Sequence, residues 1–385
     1  MSKNAGIEYM GKAKDGKLER YRLIVYCGYD SNGKQIKRKR TVTVSGIVEA
    51  RKKRAEFITE VETGEYVAPS NTTLKIYAEK QYMSNLKKRV SDSTIDTYQR
   101  ILNNHIYKHL GGYQMDQLTH NHIKQYIQEL DAISLASSTI NKHYNILNGI
   151  FKLAVTNEVI KKNPMDKVDR PSVKYKKGSV YTNDEIKELM ILLDKEKNKQ
   201  MSLLIKLAVT TGMRRGELLA LQWDDVKFKD NTINVRYSIG YTKHSGYKLK
   251  EPKTPNSIRK VAVAPEIMNE LKKHKHVKNT DRIKTEELWE SGKHFFVFSS
   301  EFGKPLYPAV PSRWFSRFLE RTGFKKVRFH DLRHTHATYL LNKEAGIKDI
   351  SKRLGHANIS TTVDTYGHYD KEKDKKLADM FNDIL

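Results

Sequence analysis

The stretch TGMRRGELLALQW (residues 211–223) sets two adjacent arginines, Arg214 and Arg215, after a glycine. It lies at the end of a segment, 198–222, whose residue pattern predicts a helix. Taken alone, both arginines are explained as exposed helix charges close in sequence to Glu217. Whether they mark a site depends on the residues that the rest of the chain supplies.

Three later segments supply residues that could act with these arginines. EPKTPNSIRKVAVAP places Lys253 in a turn just before a predicted strand. HDLRH places His330 and Arg333 three apart, on one face if the segment is helical. LGH places His356 ten residues before Tyr366, which lies in TTVDTYGHYD. Each has an ordinary explanation by itself, as a loop lysine, a polar surface residue or a structural tyrosine.

Together these residue types fit transesterification at a phosphodiester. Planar arginine donors can neutralise the non-bridging oxygens, which gain charge in the transition state. Histidines can hydrogen-bond or move a proton, and a lysine can protonate the departing 5′ oxygen. A tyrosine phenol, with a pKa of about 10, is a weak nucleophile until a base or a cationic pocket assists it.

The composition indicates a polyanionic partner. The 385 residues are enough for two or three domains, and 71 Lys and Arg against 45 Asp and Glu give a net charge of +26. No membrane-length apolar run, basic amphipathic anchor, lipidation signal or secretory signal is evident. Cys27, as the single cysteine, excludes an intrachain disulfide and cysteine-rich zinc modules. We therefore expect a soluble intracellular protein that binds nucleic acid.

The amino-terminal part predicts a small sheet followed by a helix. A β-rich run (20–30), an SNGK turn, a second strand pattern (35–46) and a helical pattern (48–66) follow one another. A basic cluster begins just before the second strand pattern and continues into its first half: Lys34, Lys37, Arg38, Lys39 and Arg40. These charges could simply keep an edge strand soluble. The charge of the whole chain favours a surface that contacts DNA.

The pattern from Leu74 to Ile160 predicts a four-helix domain, and the residues after Thr182 predict a mixed domain with short strands at TINVRYSIG, SIRKVAVAP and HFFVFSS. The predicted fold class is multidomain. It combines a small β-sheet-plus-helix N-terminal domain (1–66), an all-α domain (72–164) and a mixed, mainly α domain with a small antiparallel sheet (178–385).

The segments TGMRRGELLAL, PKTPNSIRKVAV, HDLRHTHAT and LGHANISTTVDTYGH, in this order and spacing, resemble the tyrosine recombinase family, closest in layout to phage and conjugative-element integrases. The resemblance implies these roles: catalytic Arg214 in preference to Arg215, Lys253, His330, Arg333 and His356, nucleophilic Tyr366, and supporting Glu217. It implies cleavage and rejoining of DNA through a 3′-phosphotyrosine, to integrate and excise a mobile element without a metal or other cofactor.

The resemblance also implies domain roles and partners. The N-terminal domain would bind arm sites, the all-α domain would bind the core site, and the third domain would be catalytic. Four protomers would act on double-stranded DNA through a Holliday junction in the bacterial cytoplasm, at the nucleoid, with an excisionase and a host DNA-bending protein. The last segment has an apolar stripe that would dock on a neighbouring subunit or pack on its own domain: Leu377, Met380, Phe381 and Leu385.

Three other classes of protein remain as alternatives. A metal-dependent phosphohydrolase could use His330, Asp331 and His334, but Arg333 would repel a divalent cation and no carboxylate-rich set is evident. A catalytically silent DNA-binding regulator explains the charge but not the arginine, histidine and tyrosine set. A type IB topoisomerase shares the chemistry, and the arm-like N-terminal domain favours recombination over it.

Overall fold

The computed structural model describes residues 5–13, 16–29, 33–63, 72–173, 178–242, 246–250, 258–290 and 292–355. The chain forms two compact units, Met1–Tyr175 and Lys176–Leu385. Several predicted residues lie outside the described residues: Lys253, His356, Tyr366 and the apolar stripe Leu377, Met380, Phe381 and Leu385. No helix among the described residues is long and apolar enough to cross a membrane.

The first unit begins with the predicted sheet and helix. Strands β1 (Ile7–Lys12), β2 (Glu19–Tyr29) and β3 (Gln35–Val44) form an antiparallel sheet in the order β1-β2-β3, and helix α1 (Ile47–Glu62) follows. Alternating apolar residues of β2 bury one face of the sheet on the helix, where Leu23 and Val25 pack with Phe57. The predicted sheet-plus-helix domain is thus confirmed.

The rest of this unit is helical. Its α-helices are α2 (Leu74–Tyr77), α3 (Met83–Lys87), α4 (Asp92–Ile101), α5 (Tyr107–His109), α6 (His120–Ala132) and α7 (Ser137–Thr156). The π-helical turns Ala78–Tyr82 and Leu102–Ile106 join α2 to α3 and α4 to α5. Residues 72–173, all described, therefore contain four continuous stretches of α- and π-helix, as predicted, and a 3₁₀ turn at Pro164–Lys167. Ile140, Leu147 and Phe151 of α7 are buried in their common core.

The second unit mixes helices with short strands. Its helices are α8 (Asn183–Asp194), α9 (Lys199–Thr211), α10 (Arg215–Ala220), α11 (Pro265–Thr285), α12 (Val310–Thr322), α13 (Asp331–Asn342) and α14 (Ile347–Leu354). Its strands are β4 (Val226–Lys227), β5 (Thr232–Val235), β6 (Ser238–Thr242), β7 (Gly246–Lys250) and β8 (Arg259–Ala262). One antiparallel sheet has the order β4-β5-β8, and β6 pairs with β7. This confirms the predicted mainly α unit with a small antiparallel sheet, and the β6–β7 pair forms a second sheet.

The continuous helix predicted over 198–222 is wrong, because the chain breaks after α9. Gly212 ends α9 in the left-handed conformation, with φ of 65°. A glycine adopts this conformation without the steric cost that a Cβ would impose. Arg214 is then extended and caps the start of α10. Because α9 ends before Arg214, this residue does not lie on the surface of one continuous helix.

Two predicted strands also differ in the structure. The segment TINVRYSIG divides into β5 and β6, which belong to different sheets. The segment HFFVFSS forms isolated bridges, Gln222 with Phe296 and Ser299 with Pro305, instead of a strand. Phe296 and Phe298 are nevertheless buried in the core, and partly buried Phe295 packs against it. The hydrophobicity of this segment reflects packing in the core and not the pairing of a regular β-strand. For so short an apolar run, periodicity alone does not distinguish a strand from another buried segment.

Candidate active site

Arg214 is held by the helix that follows it. Its backbone N–H donates to Oε2 of Glu217 over 2.8 Å, and its guanidinium donates to Oε1 over 2.8 Å. Glu217 is buried in the first turn of α10, whereas the Arg214 side chain is 38% exposed. The charged end of Arg214 is therefore fixed at one side and open to a ligand at the other.

Arg333 is buried on the first turn of α13. Its guanidinium donates to the backbone carbonyl of Gly212 over 2.7 Å and to that of Leu354 over 2.8 Å. The first acceptor lies at the end of α9 and the second at the end of α14. Arg333 thus ties three helices together, which its place in the HDLRH motif did not indicate.

Arg259 belongs to the same cluster, and the sequence did not single it out. It opens β8, and its guanidinium donates to both carboxylate oxygens of Glu217, over 3.2 Å and 2.8 Å. Its Nε donates to the backbone carbonyl of Arg353 over 2.7 Å. The only sequence signal was its position six residues after Lys253, within SIRKV. In a chain so rich in arginine and lysine, that position does not stand out.

The end of helix α14 is where these arginines converge. Three consecutive carbonyls, here called the α14 carbonyl row, each accept from a different arginine: Arg353 from Arg259 (2.7 Å), Leu354 from Arg333 (2.8 Å) and Gly355 from Arg214 (3.2 Å). The last carbonyls of a helix lack helical partners and carry the negative end of its dipole. The row therefore supplies fixed acceptors that orient cationic donors without adding a full negative charge.

Glu217 is the acidic centre of the cluster. Burial by itself raises the pKa of Glu217, but hydrogen bonds and charge from Arg259, with a further contribution from Arg214, hold that pKa below its ordinary value. Glu217 is consequently charged at neutral pH. Counted over the described residues Arg214, Arg259, Arg333 and Glu217, the cluster keeps a positive excess.

Two histidines flank the cluster. His330 is the N-cap of α13, and its ring centroid lies 5.3 Å from that of His334 in an edge-to-face contact. Burial of the ring, followed by the charges of His334 and Arg333, lowers the pKa of His330. Desolvation also lowers the pKa of His334. Both rings are therefore mainly neutral at neutral pH. Among the described residues, no group of three or more His, Cys, Asp or Glu is placed to hold a metal ion.

A cleft of about 770 Å³ opens beside this cluster, and Arg214, Arg215 and His330 line it. The two adjacent arginines are held differently there. Arg214 is bound to buried Glu217, whereas Arg215 is exposed and donates to the Ser312 hydroxyl over 2.8 Å. Only Arg214 thus shares a carboxylate and a helix end with the other arginines. This difference favours Arg214 as the phosphate ligand.

The register of the N-terminal sheet divides the basic cluster of β3. Arg40 pairs with Leu23 and Arg38 with Val25, so both lie on the face that packs on α1. Lys37 and Lys39 lie on the opposite face, and the Lys37 ammonium is 5.3 Å from the Tyr26 ring centroid. Lys34 precedes the strand.

Arg40 in particular is committed to contacts inside the unit. It donates through both terminal nitrogens to the carboxylate of Glu60 in α1, and its guanidinium carbon lies 4.4 Å from the Phe57 ring centroid. The hydrogen bonds from Arg40 outweigh partial burial and lower the pKa of Glu60 to about 2. Of the five residues predicted to bind DNA, Lys37 and Lys39 have the placement that suits a DNA-facing surface best.

Family comparisons match both units. The model of the Phage integrase family matches residues 179–373, and that of the Phage integrase N-terminal SAM-like domain matches residues 77–130. The chain is 30% identical to the ICEBs1 integrase of Bacillus subtilis, over 76% of this chain and 79% of that protein. It is 28% identical to a XerC-like tyrosine recombinase of Caldanaerobacter subterraneus, over 97% of this chain and 98% of the relative.

Solved structures share the fold. The chain is similar to the Tn1549 transposon integrase in complex with a circular intermediate DNA, with a TM-score of 0.67 and 22% identity, over 81% of this chain and all of that one (100%). It is also similar to a lambda integrase dimer bound to a core site, with a TM-score of 0.58 and 18% identity, over 95% and 96% of the two chains. These likenesses agree with the predicted fold class.

Proposed function

The chain belongs to the phage integrase family of tyrosine-type site-specific recombinases, and from this premise we propose how its residues cleave and rejoin DNA. Arg214 and Arg333 bind the non-bridging oxygens of the scissile phosphate. Tyr366 attacks the phosphorus, and Lys253 protonates the departing 5′ oxygen. His330 and His356 hydrogen-bond to the phosphate or move the proton of the phenol, and Glu217 supports Arg214. The reaction breaks the bond from phosphorus to the 5′ oxygen and forms a 3′-phosphotyrosine, without a metal or other cofactor.

The observation that carries this proposal is the convergence on the α14 carbonyl row. Arg214 and Arg333 are 119 residues apart in sequence, yet they donate to adjacent carbonyls, those of Gly355 and Leu354. The next residue in the chain is His356, and Tyr366 follows ten residues later. The same helix end thus orients two arginines and begins the segment that carries the proposed nucleophile.

The charge of the cluster suits a phosphoryl transition state. Glu217 offsets one positive charge, so the cluster retains an excess for the oxygens that become more negative during attack. Donors that are already oriented do not reorganise during the reaction, and removal of one such donor typically costs about 10²–10³ in rate. Because the phosphotyrosine retains the energy of the broken linkage, rejoining by the free 5′ hydroxyl needs no nucleotide.

We extend the proposal to the whole chain. Residues 1–66 would bind arm sites, 72–164 the core site, and 178–385 would carry out catalysis, as four protomers that pass through a Holliday junction. The exposed basic residues of β3 and the net charge of +26 support binding of double-stranded DNA. An arm domain separate from the core-binding domain fits a reaction directed by an excisionase and a host DNA-bending protein. Action at the bacterial nucleoid follows from that substrate.

Trapping on a suicide substrate tests the nucleophile. A nicked attachment site releases a short strand after cleavage, so that a covalent protein–DNA adduct accumulates. We expect Tyr366→Phe to bind the site like the unaltered protein and to form no adduct, because the variant lacks the phenolic oxygen. Tyr369→Phe, three residues away, is the matched control and should form the adduct. Adducts that persist in Tyr366→Phe would assign the nucleophile to another residue.

A substrate with a better leaving group tests Lys253. In a 5′-bridging phosphorothiolate the departing sulfur needs no proton, so a missing general acid costs little. We expect Lys253→Ala to cleave normal DNA slowly and to recover on the phosphorothiolate. Arg214→Ala should not recover there, because its defect lies at the non-bridging oxygens. An unrescued Lys253→Ala would remove the general-acid role from this lysine.

A further inference from the structure

We propose that Arg259 is a positioning residue of the recombination reaction: it holds Glu217 and the end of α14 together, and so fixes the directions of Arg214 and Arg333. This inference rests on the function proposed above. It assigns to Arg259 an effect on the rate of cleavage that is exerted through its neighbours and involves no contact with DNA.

Hydrogen bonds to the protein from every guanidinium nitrogen argue against a direct contact between Arg259 and DNA. Its side chain is 5% exposed, and all three of its guanidinium nitrogens donate to protein acceptors, two to Glu217 and one to the carbonyl of Arg353. The Arg214 side chain, by comparison, is 38% exposed and lines the cleft. Arg259 therefore belongs behind the phosphate-binding surface and not on it.

Its contacts join the segments that carry the proposed catalytic groups. Glu217 is the residue that holds Arg214, and the Arg353 carbonyl is the first acceptor of the α14 carbonyl row. Arg259 itself opens β8, six residues after Lys253. One side chain thus bridges the start of α10, strand β8 and the helix end that precedes His356 in the sequence.

The backbone at Gly355 is shaped to Arg259. Gly355 ends α14 with φ of 67°, and a Cβ built on it would lie 2.9 Å from Nη1 of Arg259 and 3.1 Å from its Cδ. The helix end therefore lies directly against the guanidinium. Any side chain at this glycine would strain the backbone and push Arg259 away.

Loss of Arg259 should misdirect Arg214. Among the described residues, Arg214 would be the one cation left beside charged Glu217, which would draw that guanidinium away from the phosphate. The Arg353 carbonyl would lose its donor, and the helix end could shift. A misplacement of about 1 Å at a reacting group can cost about 100-fold in rate. DNA affinity should change little, because the buried guanidinium contacts no phosphate.

The test compares Arg259→Gln with Arg321→Gln in single-turnover cleavage of the suicide substrate. Arg321 also pairs with a buried glutamate, Glu196, in the same unit, but neither residue lines the cleft. We expect Arg259→Gln to cleave about 10- to 100-fold more slowly at unchanged DNA affinity, whereas Arg321→Gln should keep its rate. Circular dichroism measures the folded fraction of each variant, and the rates are divided by it.

A phosphorothioate at the scissile position separates positioning from loss of structure. Sulfur in place of one non-bridging oxygen slows an enzyme whose donors fit that oxygen closely. We expect this sulfur effect to shrink in Arg259→Gln, because loosely placed donors discriminate less. A variant that is merely less folded would show a lower rate and an unchanged sulfur effect, and that result would overturn the inference.

Arg259→Lys provides a second variant in case the glutamine variant does not fold. Lysine keeps the charge beside Glu217, but one ammonium cannot make all three hydrogen bonds of the guanidinium. We expect a rate between those of the unaltered protein and Arg259→Gln, with a partly reduced sulfur effect. A lysine variant with the full rate and the full sulfur effect would also overturn the inference.

The outcomes distinguish this inference from the proposed function. If the unaltered protein forms no adduct, or Tyr366→Phe forms one, the proposed nucleophile fails whatever Arg259 does. If the unaltered protein forms the adduct, Tyr366→Phe forms none, and Arg259→Gln behaves like Arg321→Gln, only the positioning role of Arg259 is lost.

Discussion

The arginines around the α14 carbonyl row and the basic residues of β3 carry the same charge in opposite surroundings. Arg333 and Arg259 are 4% and 5% exposed, and each donates to at least two fixed acceptors. Lys37 and Lys39 are exposed on the open face of a sheet. Arginines with fixed acceptors keep themselves and their neighbours in one direction, which suits a site that stabilises charge at a single phosphorus. Exposed lysines follow a phosphate backbone without a fixed geometry, which suits affinity.

Glu217→Gln should have the largest effect on the buried side of this comparison. Removal of one partner of a buried ion pair typically costs about 3–5 kcal/mol, because the remaining charge is left uncompensated. We expect the free energy of unfolding at pH 7 to fall by about 3 kcal/mol in urea titrations, and cleavage to slow as well.

The loss of stability in Glu217→Gln should depend on pH, because the pKa of Glu217 is lowered in the folded protein. A carboxylate with a depressed pKa stabilises the fold above its ordinary pKa, and this contribution disappears as the pH falls through the depressed value. The gap between Glu217→Gln and the unaltered protein should therefore narrow towards acid pH. A gap that is equal at pH 7 and pH 3 would contradict the ion-pair account.

His336→Gln tests the support behind the carbonyl row. His336 accepts from Nε of Arg353 at Nε2 (3.2 Å), and its Nδ1 lies 2.9 Å from the Val209 carbonyl, so its buried ring is neutral. Burial, followed by the charge of Arg353, lowers the pKa of His336 to about 4. The unfolded state binds the proton first as the pH falls, so stability is lost below about pH 6.5.

The expected effect of His336 is intermediate in size. Between pH 7 and pH 5 this histidine should cost the folded protein about 2 kcal/mol, at 1.36 kcal/mol for each pKa unit. In urea unfolding, the His336→Gln variant should therefore lose about 2 kcal/mol less stability between pH 7 and pH 5 than the unaltered protein. An identical pH dependence in the two proteins would place the acid sensitivity elsewhere.

The smallest effects are expected on β3, where the comparison can be sharpened within one strand. In arm-site binding, the double variant Lys37→Ala, Lys39→Ala should lower the slope of log affinity against log salt by about 2, one for each phosphate contact. Arg40→Ala is the matched control, since Arg40 is bound to Glu60. It should keep the slope and lose up to about 1 kcal/mol of stability. An unchanged slope in the lysine variant would remove the open face from the arm-site surface.

The sequence predicted the residues that a linear motif holds together and missed those that folding brings together. Arg214, His330 and Arg333 stand in short segments whose chemistry could be interpreted directly. The positioning role proposed for Arg259 depends on Glu217 and Arg353, which are 42 residues before it and 94 residues after it. No local pattern encodes such a contact.

For two other features, the sequence carried the correct signal, but a second pattern favoured a different prediction. Gly212 marked the end of α9, yet the apolar residues on both sides of it favoured one continuous helix. In β3, the alternation that ends in Val42 and Val44 already placed Arg40 on the buried face. Charge alone had grouped Arg40 with Lys37 and Lys39. In each case, backbone geometry decides what composition leaves open.

Arg214 is proposed to act on the negative charge of the scissile phosphate. Single-turnover cleavage of a methylphosphonate, in which a neutral methyl group replaces one charged non-bridging oxygen, tests it most directly. On normal DNA, Arg214→Ala should be slower than the unaltered protein by about 10²–10³. On the methylphosphonate that ratio should shrink towards one, because less charge remains for the arginine to stabilise. An equal loss on both substrates would contradict the claim.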